Sequence, residues 1–203
     1  MPSRSTVMNK SPDKTSAIDE WLAAEAAHVA RRDAAMVAGS DSATVAFGAV
    51  PLEAARTMDG LSVMQAMLRG EFPAPPIGKT MDFLLIEVAA GRAVFQGRPG
   101  PAYMNPMGGL HGGWYATLLD SALGCAVHTM MPAGRGYTTA ELGINLVRAI
   151  TPKVQRVRAI GEVQHCGRQL ATATARLVGP DGTLYAHGST TCLVFELPPQ
   201  SRP

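Results

Sequence analysis

The stretch that most constrains this chain is Trp114–Met131, an apolar run holding one carboxylate, Asp120. It opens on a glycine-rich turn, Asn105-Pro106-Met107-Gly108-Gly109-Leu110-His111-Gly112-Gly113. A helix that apolar has to be covered, so the rest of the domain must be built around it. Such a turn offers free backbone N–H groups and the positive end of the helix dipole, which together favour a negatively charged oxygen. A carboxylate two turns into an apolar helix is costly unless it is used or paired. An oxyanion holder and an acid/base or nucleophile are the parts needed for acyl transfer.

The flanks read as strands. Thr80–Val88 and Arg92–Gly97 enclose Ala89-Ala90-Gly91, a hairpin pattern. After the helix, expected over 113–131 and closed by Pro132 and Gly134, Tyr137–Arg148 alternates. Ala140, Leu142, Ile144 and Leu146 fall on one face, with Thr139, Glu141 and Asn145 on the other. Val154–His165, Gln169–Val178 and Thr183–Phe195 are further strands, separated by Gly167 and the turn Gly179-Pro180-Asp181-Gly182. Short connections imply an antiparallel sheet of about six strands with one face covered by the helix, an α+β architecture.

Upstream, residues 1–15 are expected to be disordered, and 16–76 to form a helical N-terminal extension. Ser16-Ala17-Ile18-Asp19 fits a cap for a helix over 16–38 whose inner face is Ile18, Leu22, Val29 and Met36. Residues 40–58 are ambiguous. Leu61–Arg69, with Leu61, Met64 and Leu68 on one side, stops at Gly70, and Pro73-Ala74-Pro75-Pro76 forms a stiff spacer before a main domain over 77–197.

Composition excludes more than it selects. A net charge of +2 gives no reason to expect nucleic-acid binding. Met1–Lys14 lacks the apolar run of a signal peptide, and Asp120, Gly124 and His128 interrupt the one apolar segment, which argues against a membrane span. Cys125, Cys166 and Cys192 lack metal or redox spacing and read as reduced thiols, so a cytoplasmic protein with neither metal nor cofactor is expected. The glycines match neither a dinucleotide fingerprint nor a P-loop.

The element order, with Asn105, His111-Gly112-Gly113 and Asp120 at its centre, resembles the hotdog-fold acyl-CoA thioesterases of the phenylacetate-pathway (PaaI-type) group. Arg148, His165-Cys166-Gly167-Arg168 and the Asp181-Gly182 turn support the likeness, which covers about 79–195. It implies hydrolysis of an acyl- or aryl-CoA thioester. The Gly112 N–H would hold the thioester oxygen, Asp120 would be base or nucleophile, Asn105 would position water or thioester, and Thr139, adjacent to Thr138, would assist. The family's Arg-Pro is Arg148-Ala149 here, with the proline delayed to Pro152, so that turn is expected to differ.

His111 is open to two readings: a general base, or a residue that orients the loop backbone, which is favoured. Gly113, Trp114 and Tyr115 are the expected substrate contacts, against plain core packing. Arg148 and Arg168, together with Lys153, Arg156 and Arg158, are candidates for the CoA phosphates. Gly112 and Asp120 are separated by about 12 Å along one helix. An oxyanion donor and an attacking group must each lie within roughly 3 Å of the reacting atoms. The site therefore works when shared between two chains, making a homodimer the minimum and a homotetramer the expected form.

A non-catalytic acyl-CoA-binding or regulatory protein on this scaffold is the first alternative, but binding alone needs no carboxylate beside a thioester. An enoyl-CoA hydratase would share Asn105-Pro106 yet needs an acid before it, and Pro101-Ala102-Tyr103-Met104 holds none.

Overall fold

A computed structural model describes residues 14–38 and 47–198. The disorder expected over 1–15 concerns residues that, apart from the start of the first helix, lie outside those described. The elements are α1 (Lys14–Ala38), α2 (Leu52–Thr57), α3 (Gly60–Arg69), α4 (Pro76–Thr80), β1 (Phe83–Ala89), β2 (Arg92–Gly97), a 3-10 turn (Pro101–Tyr103), α5 (Gly112–His128), β3 (Arg135–Leu146), β4 (Val157–Cys166), β5 (Leu170–Val178) and β6 (Leu184–Glu196). No described helix is long and apolar enough to cross a membrane.

All six strands join one sheet in the order β1-β2-β4-β5-β6-β3, and every neighbouring pair is antiparallel. The sheet wraps α5. Leu118, Leu119, Ala122, Leu123 and Ala126 are fully buried in one core with Phe95, Ala159, Ala173 and Leu177. Close approach is set at Gly161, where a Cβ would lie 2.2 Å from the Ala122 carbonyl oxygen. Any side chain there would push the helix off the sheet.

β3 is an edge strand running antiparallel to α5. Thr139 meets Asp120, and farther along β3 the Leu146 side chain lies over Gly112. The alternation expected for β3 is broken between Thr139 and Glu141, where its register against β6 shifts. This bulge changes parity, so Thr139 faces the helix, as do Leu142 and Ile144, rather than the opposite side.

The extension packs on the domain at two places. α3 is capped by Asp59, whose carboxylate accepts the Ser62 N–H at 2.9 Å, and it ends at Gly70 with φ 85°. Its first residue, Gly60, lies so close to the end of α5 that a Cβ would fall 1.7 Å from the His128 carbonyl oxygen. The ambiguous stretch 40–58 contains α2, and Phe47 bridges Ala74 of the proline-rich spacer.

α1 begins at Lys14, so Ser16 lies inside the helix instead of capping it. Its inner face also differs from expectation. Ile18 and Leu22 are half-buried as expected, but Trp21 and Glu25 are equally so, His28 is buried and Val29 is exposed, while the side chain of Met36 lies outside those described. Arg158 stacks over Trp21 at 4.1 Å, and Arg156 Nε donates to Glu25 at 2.5 Å. Buried Gln96 donates to Glu25 at 2.7 Å and accepts from Arg158 at 2.8 Å. Burial pushes the Glu25 carboxyl up, but the donors from Arg156 and Gln96 and the charges of Arg156 and Arg98 hold it below its ordinary value. A polar lock, not an apolar stripe, orients α1.

Candidate active site

The turn before α5 is organised by Asn105. Its Oδ1 accepts the N–H groups of Met107 at 2.9 Å and Gly109 at 3.1 Å, and its own N–H donates to the Gly109 carbonyl at 2.7 Å. Gly108, at φ 78°, takes the left-handed conformation this turn requires. His111 follows as the N-cap of α5, its Nδ1 accepting the Gly113 N–H at 2.9 Å. That bond occupies the Nδ1 lone pair of a neutral ring and leaves the proton on Nε2.

The cap leaves one donor open in the first turn. Gly113 N–H is held by the His111 ring and Trp114 N–H by the His111 carbonyl at 2.9 Å. The Gly112 N–H has no acceptor among the described residues. It stands at the positive end of α5, where an anionic oxygen is favoured.

Asp120 sits two turns farther on, half-buried, and its Oδ1 accepts from the Thr139 hydroxyl at 3.3 Å. Its field reaches a neighbouring thiol: burial and the Asp120 charge push Cys125 up to about 12. Cys125 therefore stays a thiol rather than a thiolate nucleophile at neutral pH. Burial and the same carboxylate also raise the Tyr137 hydroxyl.

Trp114 and Tyr115 are both buried, and each makes a structural hydrogen bond. The indole N–H donates to the Met81 carbonyl at 2.9 Å, and the Tyr115 hydroxyl accepts the Ile150 N–H at 2.9 Å. Trp114 and Gly113 also line an open cleft of about 550 Å³ with Tyr103, Met104, His111 and Thr117. Arg148 and Arg168 are exposed, and neither guanidinium has a carboxylate partner among the described residues. Arg156 and Arg158 are engaged with α1.

Asp120 and Thr139 are thus brought together, as are Asn105, His111, Gly112 and Gly113. The two groups stay about 12 Å apart along α5. Sequence reasoning missed a cavity of about 460 Å³ beside Thr139, lined partly by Val63, Met64 and Met67 of α3. Its only signal was the Asp59–Gly60 start of that helix.

Comparison with known proteins bears on the fold and the family. The sequence model of the thioesterase superfamily matches residues 107–186. No curated protein sequence matches significantly. Among solved structures, a thioesterase family protein from Silicibacter pomeroyi is 27% identical, with a TM-score of 0.55, over 60% of this chain and 90% of that one. A phenylacetic acid degradation-related protein of Ralstonia eutropha JMP134, assigned as a thioesterase, is 26% identical with a TM-score of 0.58, over 64% and 97%. A further protein of the thioesterase superfamily is 30% identical with a TM-score of 0.51, over 58% and 88%. The sheet-wrapped helix is the hotdog fold, and the chain belongs to the thioesterase superfamily.

Proposed function

We propose that this thioester hydrolase cleaves acyl- or aryl-CoA to the free acid and CoA, as a PaaI-type enzyme, at a site shared between two copies of the chain. The observation that carries the reading is the open Gly112 N–H on the same helix as the Asp120–Thr139 pair. The two are too far apart to act on one carbonyl within a chain.

An exposed edge supports the sharing. β3 is long and ends one side of the sheet, and Thr138–Glu141 and Asn145–Leu146 are exposed. Such an edge invites pairing with its own copy about a two-fold axis. Thr139 marks the position of Asp120 along β3, and Leu146 marks that of Gly112. Antiparallel pairing centred near Leu142–Gly143 would therefore bring each Gly112 opposite the other chain's Asp120. A homotetramer would then be two such dimers.

In this site the Gly112 N–H receives the charge that develops on the thioester oxygen. Asp120 supplies the attacking oxygen, its own or that of a water it deprotonates, and the Thr139 hydroxyl holds the carboxylate in place. Asn105, with Oδ1 committed to the turn, has its amide N–H groups left to orient water or substrate. His111 fixes the turn as a cap. Gly113 and Trp114 form the wall behind it, with Tyr115 packed beneath them in the core, and Arg148 and Arg168 meet the CoA phosphates. Three unpaired thiols fit a reducing cytoplasm.

The test is thiol release from short, medium, long and aromatic acyl-CoAs, with wild type and Asp120→Ala side by side. The reading predicts release by wild type that falls at least ~10²-fold in the variant. Tight binding of acyl-CoA by both proteins without release would replace it with a binding module.

A further inference from the structure

The N-terminal extension does more than cover the domain. The cavity of about 460 Å³ is an open cleft with walls from both parts of the chain: Val50, Val63, Met64 and Met67 from the extension, and Cys125, His128 and Tyr137 from the domain. Thr138 and Thr139 stand at its exposed rim. Thr139 is the residue that hydrogen-bonds Asp120, so one residue of the rim touches the carboxylate proposed to attack. Its lining is mostly apolar and soft: two methionines, two valines, a protonated thiol and the tilted His128–Tyr137 ring pair. Burial lowers the His128 pKa and keeps the imidazole neutral.

Resting on the thioesterase reading, we propose that this cavity is the acyl-binding chamber, and that α3, through Val63, Met64 and Met67, sets the length of acyl group the enzyme accepts. The thioester carbonyl lies at the Thr139 rim, the CoA portion points outward, and the acyl tail runs inward between α3 and α5. The mostly apolar lining suits an alkyl or arylalkyl group, whose reach α3 would limit. The fit of α3 against α5 depends on Gly60, whose closeness to the His128 carbonyl leaves no room for another residue.

Two variants with opposite expected effects test this. Met67 is only partly buried, so Met67→Trp should fill the chamber and Met67→Ala should deepen it. The first arm measures kcat/KM for acetyl-, hexanoyl-, decanoyl- and phenylacetyl-CoA. Each buried methylene contributes roughly fourfold, so the decanoyl-to-acetyl ratio should fall at least ~tenfold in Met67→Trp. The longest accepted chain should increase in Met67→Ala. The second arm measures binding of non-hydrolysable S-alkyl-CoA thioethers to wild type and both variants, where the same length preferences should appear.

Hydrolysis with an unchanged length profile in both variants would overturn the chamber while leaving the thioesterase reading intact. Length-dependent binding that shifts with Met67, without hydrolysis of any thioester, would retain the chamber and overturn the reaction. Variants that melt like wild type exclude unfolding as the cause of either result.

Discussion

Within the first turn of α5, each residue's task follows from which N–H groups are already occupied. Gly112→Pro is an informative change here, because proline is tolerated at the first helical position and removes only the N–H in question. His111 already has φ −67° and ψ 135°, the conformation favoured before a proline. The variant should fold and lose about 10²–10³ in kcat, the scale for one oxyanion donor. Gly112→Ala, which keeps the N–H and meets only the flexible tip of Leu146 at 3.2 Å, should stay close to wild type. Equal activity in the two would remove Gly112 from the mechanism.

His111→Asn distinguishes a cap from a base. Asparagine is a strong N-cap, so activity should hold within a few-fold, whereas His111→Ala should cost about 1 kcal/mol of stability. Loss of a general base would instead lower kcat by ~10² or more in both, with a changed pH profile. Thr139→Ala removes a hydrogen bond to a charged group, and kcat should fall about tenfold. The glycine-rich turn and the position of Asp120 on α5 could be read from sequence because spacing along one turn and one helix is local, while the roles proposed for Asn105 and Gly112 were implied by the family resemblance. The facing of Thr139 could not be read, because a single bulge residue reverses parity and period-two alternation does not register it.

Among the elements, β2 matches the sequence reading at both ends and the other strands within a few residues, since alternation and turn glycines mark them. α1 was harder. Glu25 was not among the expected inward-facing residues because its partner Arg156 lies far along the chain, and helical periodicity carries no information about such a partner. The pairing gives a pH prediction. Glu25 is held below its ordinary value of 4.5 in the folded protein, so its contribution is present above pH 4.5. That contribution is lost as pH falls through the lower folded value. Wild type should therefore be more stable than Glu25→Gln in denaturant at neutral pH, and the difference should shrink as the pH falls below 4.5. A difference that does not change with pH would mean that Glu25 acts by packing alone.

For the whole molecule, the central claim is that neither chain holds a complete site. A sheet wrapped around one helix was legible because an apolar helix flanked by strands leaves few ways to bury it, and the hotdog fold was implied by the family resemblance. The proposal of a composite site rests on a distance argument, eight residues being too long a step along a helix. The most direct measurement is complementation. Asp120→Asn and Gly112→Pro, each inactive alone, are co-expressed, and mixed dimers are quantified by native mass spectrometry. Each mixed dimer would hold one site with both groups intact, so random pairing should restore about a quarter of wild-type activity. Mixed dimers that form in quantity and stay as inactive as their parents would mean that Gly112 and Asp120 must act from the same chain, and would contradict the account.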